Sequence, residues 1–226
     1  MTEEKKAPEY VPMNVADRPN PGEYTPKERL LRLLRHEKVD RLPIATVGMT
    51  PYTWHVDFED YHPVLRVAEK HCEFFPSFGV RRGNGMCDNS IWDVKTDVLE
   101  EGERKTATTV IRTPKGDLTG VRVHDRSVGS WGTAKAMVEN EEDLEKRESL
   151  PCQPCPVDIE GLDEHRARIG DAGLAYMNGV QNALLTACWG MSEEFRTVFC
   201  FTEQERLRKM VEKAQERVYD FTKRLL

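Results

Sequence analysis

Apolar and polar residues alternate at helical spacing from residue 25 onward, in the segment TPKERLLRLLRHEKVDRLPI (25–44). Four leucines between residues 30 and 34 form one apolar stripe, and lysine and arginine occupy the other side. Thr25 and Glu28 have the spacing of a capping box, in which each side chain accepts from the other residue's backbone N–H. The next run, LPIATVG (42–48), is apolar without polar alternation, which is typical of a parallel strand covered on both faces. The pattern therefore predicts a capped amphipathic helix that leads directly into a buried strand.

The same two patterns return further along the chain. They predict the helices 63–75 and 158–170 and the strands 78–82 and 173–178. A final helix with an apolar stripe is predicted after a second capping box, formed by Thr202 and Glu205. Strands that alternate with helices predict a parallel sheet with the helices outside it.

Residues 92–125 follow a different rule, because apolar and polar residues alternate there at every second position. Turn signals at 102–104 and 114–116 divide this stretch into three segments, which predicts an antiparallel β-meander inserted into the α/β chain. Asn140 precedes three acidic residues and is predicted to cap a short helix. Residues 1–24 are polar and contain several prolines, so we expect an irregular N-terminal arm.

Three of these segments, in this order, carry a resemblance to a known family. They are TPKERLLRLLRHEKVDRLPI (25–44), TTVIRTPKGDLTG (108–120) and SWGTAKAMVENEEDLEKRESLP (130–151). Together they resemble the uroporphyrinogen decarboxylase superfamily, which contains decarboxylases and methyltransferases that work with corrinoid proteins, coenzyme M or tetrahydrofolate. The resemblance runs from residue 25 to residue 226 and implies a (β/α)₈ barrel.

The strand count is smaller than a barrel requires. Three convincing parallel strands are predicted, whereas a complete barrel usually needs about 250 residues and eight strands. We therefore expect an α/β fold that is a partial TIM-barrel-like arc, with residues 25–226 forming the amino-terminal portion of a longer barrel and inactive alone. The alternative is a complete, small, open-sheet α/β domain.

Active sites of parallel barrels lie beyond the carboxyl ends of the strands. The loop after the first strand supplies Thr50, Trp54 and His55, and the loop after the third strand supplies Asn178 and Gln181. These five are the candidate residues for binding a substrate or cofactor. The resemblance implies that decarboxylases carry an arginine-rich motif in the first loop, where this chain has VGMTPYTWH and no arginine. A substrate with many carboxylates would lack countercharges there, which argues against decarboxylation.

Asp88 is a candidate catalytic residue because it lies near the position at which the resemblance implies an essential aspartate of the decarboxylases. Its surroundings, GMCDN, match the family only weakly. The alternative is an aspartate that forms a turn by accepting from nearby backbone N–H groups.

A metal site is not predicted within this chain. The resemblance implies that the methyltransferases bind zinc through a His-x-Cys pair and a distant cysteine, and this chain contains no His-x-Cys. Zinc would therefore be bound by residues absent from this chain. Cys152 and Cys155 form a CxxC pair and are a weak alternative, because a second pair is missing. We expect the six cysteines to be free thiols rather than a disulfide framework.

The charge and apolar content of the chain limit the classes of partner that we expect. The net charge of −6 arises from interspersed acidic and basic residues, which predicts no nucleic-acid partner. No apolar run of membrane-spanning length occurs, so we expect a cytoplasmic protein without a membrane partner. The expected partners are a small-molecule substrate, a corrinoid protein, and a second copy or a completing chain.

The function predicted from the sequence is that of a methyltransferase-type member of the superfamily. It would move a methyl group between a small methylated compound and a corrinoid protein, a thiol or a folate. The alternatives are a uroporphyrinogen decarboxylase and a non-catalytic subunit or remnant.

Overall fold

The computed structural model describes residues 9–19, 22–46, 48–125, 130–179 and 181–226. The chain divides into two compact units. Unit 1 comprises Met1–Val80 and Asp158–Gly179, and unit 2 comprises Arg81–Val157 and Val180–Leu226. The helices and strands are, in chain order, α1 (Pro26–Leu34), α2 (His62–His71), β1 (Ser77–Gly79), β2 (Asp93–Glu101), β3 (Arg104–Thr113), β4 (Gly116–Asp125), β5 (Ser130–Lys135), α3 (Glu141–Glu148), α4 (Leu162–Ile169), β6 (Tyr176–Asn178), α5 (Ala183–Ala187), α6 (Glu193–Thr202) and α7 (Gln204–Leu225).

The predicted capping box of helix α1 is confirmed. The backbone N–H of Glu28 donates to Oγ1 of Thr25 over 3.2 Å, and the backbone N–H of Thr25 donates to Oε2 of Glu28 over 2.9 Å. Pro26 occupies the first helical position, where no N–H is needed. Of the predicted leucine stripe, Leu30 is buried but Leu34 is exposed, so only part of the stripe packs against unit 1.

Unit 1 contains the parallel part of the fold. Strands β1 and β6 pair in parallel, with Phe78 opposite Met177. Isolated parallel bridges continue this pairing, because Ala45 pairs with Glu73 and Phe74 pairs with Gly173. The segment that leads into β1 thus lies between the two other parallel segments. A Cβ atom at position 173 would lie 2.0 Å from the carbonyl oxygen of Phe74, so this close approach requires a glycine.

The predicted barrel is not observed. The fold is mixed α/β. Parallel pairing joins three short segments in unit 1, an isolated parallel bridge joins Val138 to Met191 in unit 2, and the described residues close no barrel. The prediction that the strands are covered on both faces is also wrong for the described residues. Leu42 is 77% exposed, Ile44 is 57% exposed, and all three residues of β6 are exposed. The physical reason is that an apolar run allows burial but does not supply the elements that must pack on each face of a parallel sheet.

Unit 2 contains an antiparallel sheet in the order β2-β3-β4-β5. Its first three strands confirm the predicted meander, and the turn after Thr113 places this residue opposite Gly116. The fourth strand, β5, was not predicted. All six of its residues are exposed, so burial imposes no alternation of apolar and polar positions on its sequence. Ile111 and Leu118 are paired on the adjacent strands β3 and β4 and are buried beside Trp92.

The helices of unit 2 confirm one predicted cap and correct another. The side chain of Asn140 accepts from the backbone N–H of Asp143 over 2.9 Å at the start of α3, as predicted. The second capping box is wrong, because Thr202 is the last residue of α6 and its hydroxyl donates to the carbonyl oxygen of Val198. The residue before α7 is Glu203, which makes no side-chain cap. Ala214 and Phe221 of α7 are buried.

The helices in the described part of the chain do not combine the length and apolar content that a membrane span requires.

Candidate functional site

The loop that follows the first parallel segment of unit 1 holds three of the predicted residues close together. Thr50 is buried, and its hydroxyl oxygen accepts from the backbone N–H of Tyr52 over 3.3 Å. The carbonyl oxygen of Thr50 accepts from the hydroxyl of Thr53. Both polar groups of Thr50 therefore stabilise the loop itself.

Trp54 and His55 form a stacked pair in the same loop. Their ring centroids lie 4.0 Å apart, and Tyr61 contacts both rings edge-on. His55 is buried, and its Nδ1 lies 2.8 Å from the hydroxyl oxygen of Thr53, a hydrogen bond. Burial lowers the pKa of His55 below its ordinary value of 6.5, because desolvation disfavours the imidazolium. Trp54 is 56% exposed. The pair thus offers an aromatic face backed by an uncharged imidazole at neutral pH.

Asn178 and Gln181, predicted to act together, belong to different units. Asn178 ends β6 opposite Gly79, and its exposed side-chain amide makes no hydrogen bond to any described residue. Gln181 is half-buried in unit 2 just before α5. The next residue, Asn182, caps α5 by accepting from the backbone N–H of Leu185 over 2.8 Å.

Asp88 lies in unit 2 and forms a turn. Its Oδ1 accepts from the backbone N–H of Ser90 over 3.0 Å and from the hydroxyl of Ser90 over 2.7 Å. These hydrogen bonds lower the pKa of the Asp88 carboxyl. The geometry matches the turn-forming alternative, since the carboxylate is held by a local partner and stays ionised at neutral pH.

Cys152 and Cys155 do not act as a pair. Cys152 forms a disulfide with Cys87, and the Sγ of Cys155 accepts from the backbone N–H of Gly83 over 3.1 Å. The expectation of six free thiols is therefore wrong for two cysteines, because the fold brings together two residues that are 65 positions apart. Within the described ranges, no group of three or more His, Cys, Asp or Glu side chains could hold a metal ion.

A buried ionic network in unit 1 was not predicted. Arg29 is fully buried and pairs with both oxygens of Asp40, while its Nη1 lies 2.7 Å from Oε1 of Glu73. The other oxygen of Glu73 accepts from the backbone N–H of Ile44 over 2.8 Å. Arg41 also contacts Glu73, over 2.6 Å. The network joins helix α1 to the first two parallel segments, so it positions the loop that carries Trp54.

Unit 2 contains a cavity of about 710 Å³ that was also not predicted from the sequence. One wall is helix α7, and the others come from α3, α5 and the residues around Trp92 and Trp189. Five basic and two acidic side chains line it, namely Arg147, Arg206, Lys209, Lys213 and Arg217 against Glu148 and Glu216.

Arg147 is the most deeply buried of these basic side chains, at 6% exposure. Its Nη1 donates to the carbonyl oxygen of Trp189 over 2.7 Å, and its guanidinium lies 5.6 Å from the centre of the Trp189 ring. Among the described residues it forms no ion pair. Burial lowers the pKa of Arg147 to about 10, because the charged form loses hydration.

Arg217 is the second basic group without an acidic partner in the described residues. Its Nη1 donates to the Sγ of Cys87 over 3.1 Å and to the Sγ of Cys152 over 3.5 Å. Burial lowers its pKa as well. By contrast, Arg206 is neutralised by Glu141 and Glu148.

The sequence did contain a signal for this cavity. Arg206, Lys209, Lys213 and Arg217 follow each other at intervals of three and four residues, which places four cations on one face of α7. Basic and acidic residues are interspersed along the whole chain, so the net charge does not indicate these four cations on one face of α7. Arg147 carries no such signal, because its position opposite α7 depends on the tertiary fold.

Comparisons with protein-family models, with curated proteins and with solved structures found no match to this chain.

Proposed function

We propose that this chain is part of a methyltransferase-type member of the uroporphyrinogen decarboxylase superfamily. It would move a methyl group between a small methylated compound and a corrinoid protein, a thiol or a folate. Two features support the proposal: the three sequence segments that resemble the family, and the parallel order of the segments around Ala45, Phe74 and Gly173, which is the order of the first strands of a barrel.

The observation that carries the proposal is the loop around Trp54. It follows the carboxyl end of a parallel segment, where ligands bind in such sheets. It offers an exposed indole stacked on His55 and no arginine between residues 48 and 62. An aromatic surface with an uncharged imidazole suits a small, weakly charged methyl compound better than a substrate with several carboxylates.

The chain's own residues would bind and orient the methyl compound. Transfer breaks the bond between the methyl carbon and its heteroatom, forms a bond between that carbon and the acceptor, and leaves the electron pair on the heteroatom, which then takes a proton. Excluding water and holding the methyl carbon in line with the acceptor accelerate such a step. The corrinoid would be held by a partner protein, and zinc, which the described residues do not fit, by residues outside this chain.

An assay on the natural polypeptide purified from its source tests the proposal. Reduced corrinoid protein and a methylated aromatic ether or amine are mixed with it, and the visible absorption of the corrinoid is followed. We expect a methyl-dependent change, and we expect Trp54→Ala to raise KM about ten-fold, which corresponds to about 1.4 kcal/mol of lost binding.

A matched control is available in Trp131, which is 40% exposed and lies in unit 2. Trp131→Ala should leave KM unchanged. No absorption change with any such methyl donor, or an equal rise of KM in both variants, would count against the proposal.

Uroporphyrinogen decarboxylase is the alternative enzyme. The arginine-free loop speaks against it, because carboxylates on a substrate need bidentate countercharges. A fluorescence titration of the protein with a tetrapyrrole carboxylate separates the two enzymes. Tight, stoichiometric binding that Trp54→Ala abolishes would favour the decarboxylase.

A non-catalytic subunit is the alternative from another class. The exposed apolar side chains of the outer parallel segments favour it, since Leu42, Ile44 and Tyr176 offer apolar surface beside open strand edges. A second copy or a completing chain would cover them. Size-exclusion chromatography of the chain decides this point, because a monodisperse 26.0 kDa monomer would contradict it.

A further inference from the structure

We propose that the cavity of unit 2 binds a small polyanion, one that carries at least two phosphate or carboxylate groups. The inference goes beyond the proposed function and does not depend on it. It rests on the side chains of a single unit: a buried arginine without a counter-ion, a second arginine that donates to sulfur, and two lysines that face the same space.

Arg147 is a buried cation without an ion pair among the described residues. A guanidinium at this depth normally pairs with a carboxylate, because an isolated buried charge loses its hydration without compensation. Arg147 has only the carbonyl oxygen of Trp189 as a hydrogen-bond acceptor among the described residues. A guanidinium has five N–H donors, so most of them remain for a ligand in the cavity that Arg147 lines.

Arg217 faces the same cavity from helix α7. Its hydrogen-bond acceptors among the described residues are two disulfide sulfurs and the carbonyl oxygen of Lys213, and sulfur is a weak acceptor. Its Nη2 therefore stays available. Arginines bind phosphate and carboxylate with two parallel N–H donors, and this geometry gives both affinity and orientation.

The side chains that line the cavity carry an excess of positive charge. Arg206 is already neutralised by its two glutamates. Four cations of the lining have no ion pair among the described residues, namely Arg147, Lys209, Lys213 and Arg217. Glu216 is the acidic side chain of the lining that likewise has no ion pair among the described residues. This excess of positive charge favours a ligand with more than one negative charge.

The size and the lining of the cavity suit a small organic molecule. A volume of about 710 Å³ lies within the roughly 300–1,000 Å³ of sites that hold small molecules. Trp92 and Trp189, stacked with centroids 5.5 Å apart, add an apolar wall for the organic part of the ligand. The cavity is therefore suited to an organic molecule with several acidic groups rather than to a single inorganic ion.

Isothermal titration calorimetry of the full chain tests the inference, with tripolyphosphate and citrate as separate probes at constant ionic strength. We expect saturable one-to-one binding of at least one probe, weakened by added salt. Binding of only one probe identifies its acid group as the preferred one. Arg217→Gln should weaken binding at least about ten-fold, since a hydrogen bond to a charged group is lost.

The exposed lysine Lys213 supplies a second variant that leaves the core intact. Lys213→Gln should weaken binding about three-fold. The matched control is Arg208→Gln, which removes the same charge from α7 outside the cavity and should not change binding. Absence of saturable binding by both probes, or equal weakening in Lys213→Gln and Arg208→Gln, would overturn the inference. Circular dichroism of each variant confirms that it is folded.

Discussion

Arg29 and Asp40 form a bidentate ion pair in which Nε lies 2.6 Å from Oδ1 and Nη2 lies 2.8 Å from Oδ2. The guanidinium is completely buried and also contacts Glu73. The pair fixes the distance between helix α1 and the start of the first parallel segment, because Asp40 lies only a few residues before Ala45. It is therefore part of the support for the loop that carries Trp54.

Replacing Arg29 should destabilise unit 1 severely. Arg29→Met leaves two carboxylates in contact with an apolar side chain, and breaking a buried ion pair from one side costs about 3–5 kcal/mol. The free energy of unfolding is measured by urea denaturation. The control is Arg35→Met, an exposed arginine at the end of the same helix, which should change stability by less than about 0.5 kcal/mol. Equal losses in the two variants would contradict this account.

The same ion pair predicts an acid dependence of stability. Hydrogen bonds from Arg29 hold the pKa of the Asp40 carboxyl well below its ordinary value of 3.8. A carboxyl whose pKa is lower in the folded state stabilises the protein above its unfolded pKa, and this contribution disappears as the pH falls towards the folded pKa. We expect the stability difference between the parent protein and Asp40→Asn to be large at pH 7 and clearly smaller at pH 3. A stability difference between the two proteins that does not change with pH would refute this prediction.

The Cys87–Cys152 disulfide predicts both a thiol count and a stability change. The unfolded, unreduced protein should react as four free thiols and the reduced protein as six. Cys152→Ser should lower the free energy of unfolding by about 4 kcal/mol, from the chain entropy of a loop of this length. Cys200→Ser, which removes a free cysteine, is the control and should have a small effect. Six reactive thiols before reduction would show that the bond does not form.

The capping box of α1 predicts a smaller effect. Thr25→Ala removes the hydroxyl that accepts from the N–H of Glu28 and should cost about 1 kcal/mol in urea denaturation. Thr25→Ser keeps the acceptor and should lose only a few tenths of that amount. If serine and alanine are equally destabilising, the hydroxyl does not act as the cap.

Elements that depend on neighbouring residues were predictable from the sequence. The Thr25–Glu28 box and the Asn140 cap each involve residues three positions apart, so their signal is complete in a short window. The meander was predicted because its turns are equally local. The Thr202 box failed although the spacing was correct, since α6 extends through Thr202 and the hydroxyl of Thr202 donates to the carbonyl oxygen of Val198.

Features that depend on distant residues were not predictable. Cys87 and Cys152 meet only because the chain folds back, and the same holds for Arg147 and Arg217 on the walls of one cavity. The loop candidates Thr50, Trp54 and His55 lie together because they are neighbours in sequence. Asn178 and Gln181 are also close in sequence, yet the boundary between the two units falls between them.

The pairing of β1 with β6 has a consequence for the newly made chain. Ser77 and Tyr176 are partners although about a hundred residues separate them. At ribosomal rates of about 5–20 residues per second, β1 emerges roughly 5–20 s before its partner. During that interval β1 lacks its partner strand. The hairpins of β2 to β5, by contrast, pair strands that are neighbours in sequence and therefore form quickly. Until Tyr176 has been made, the edge of β1 is therefore available for pairing with a strand of another chain.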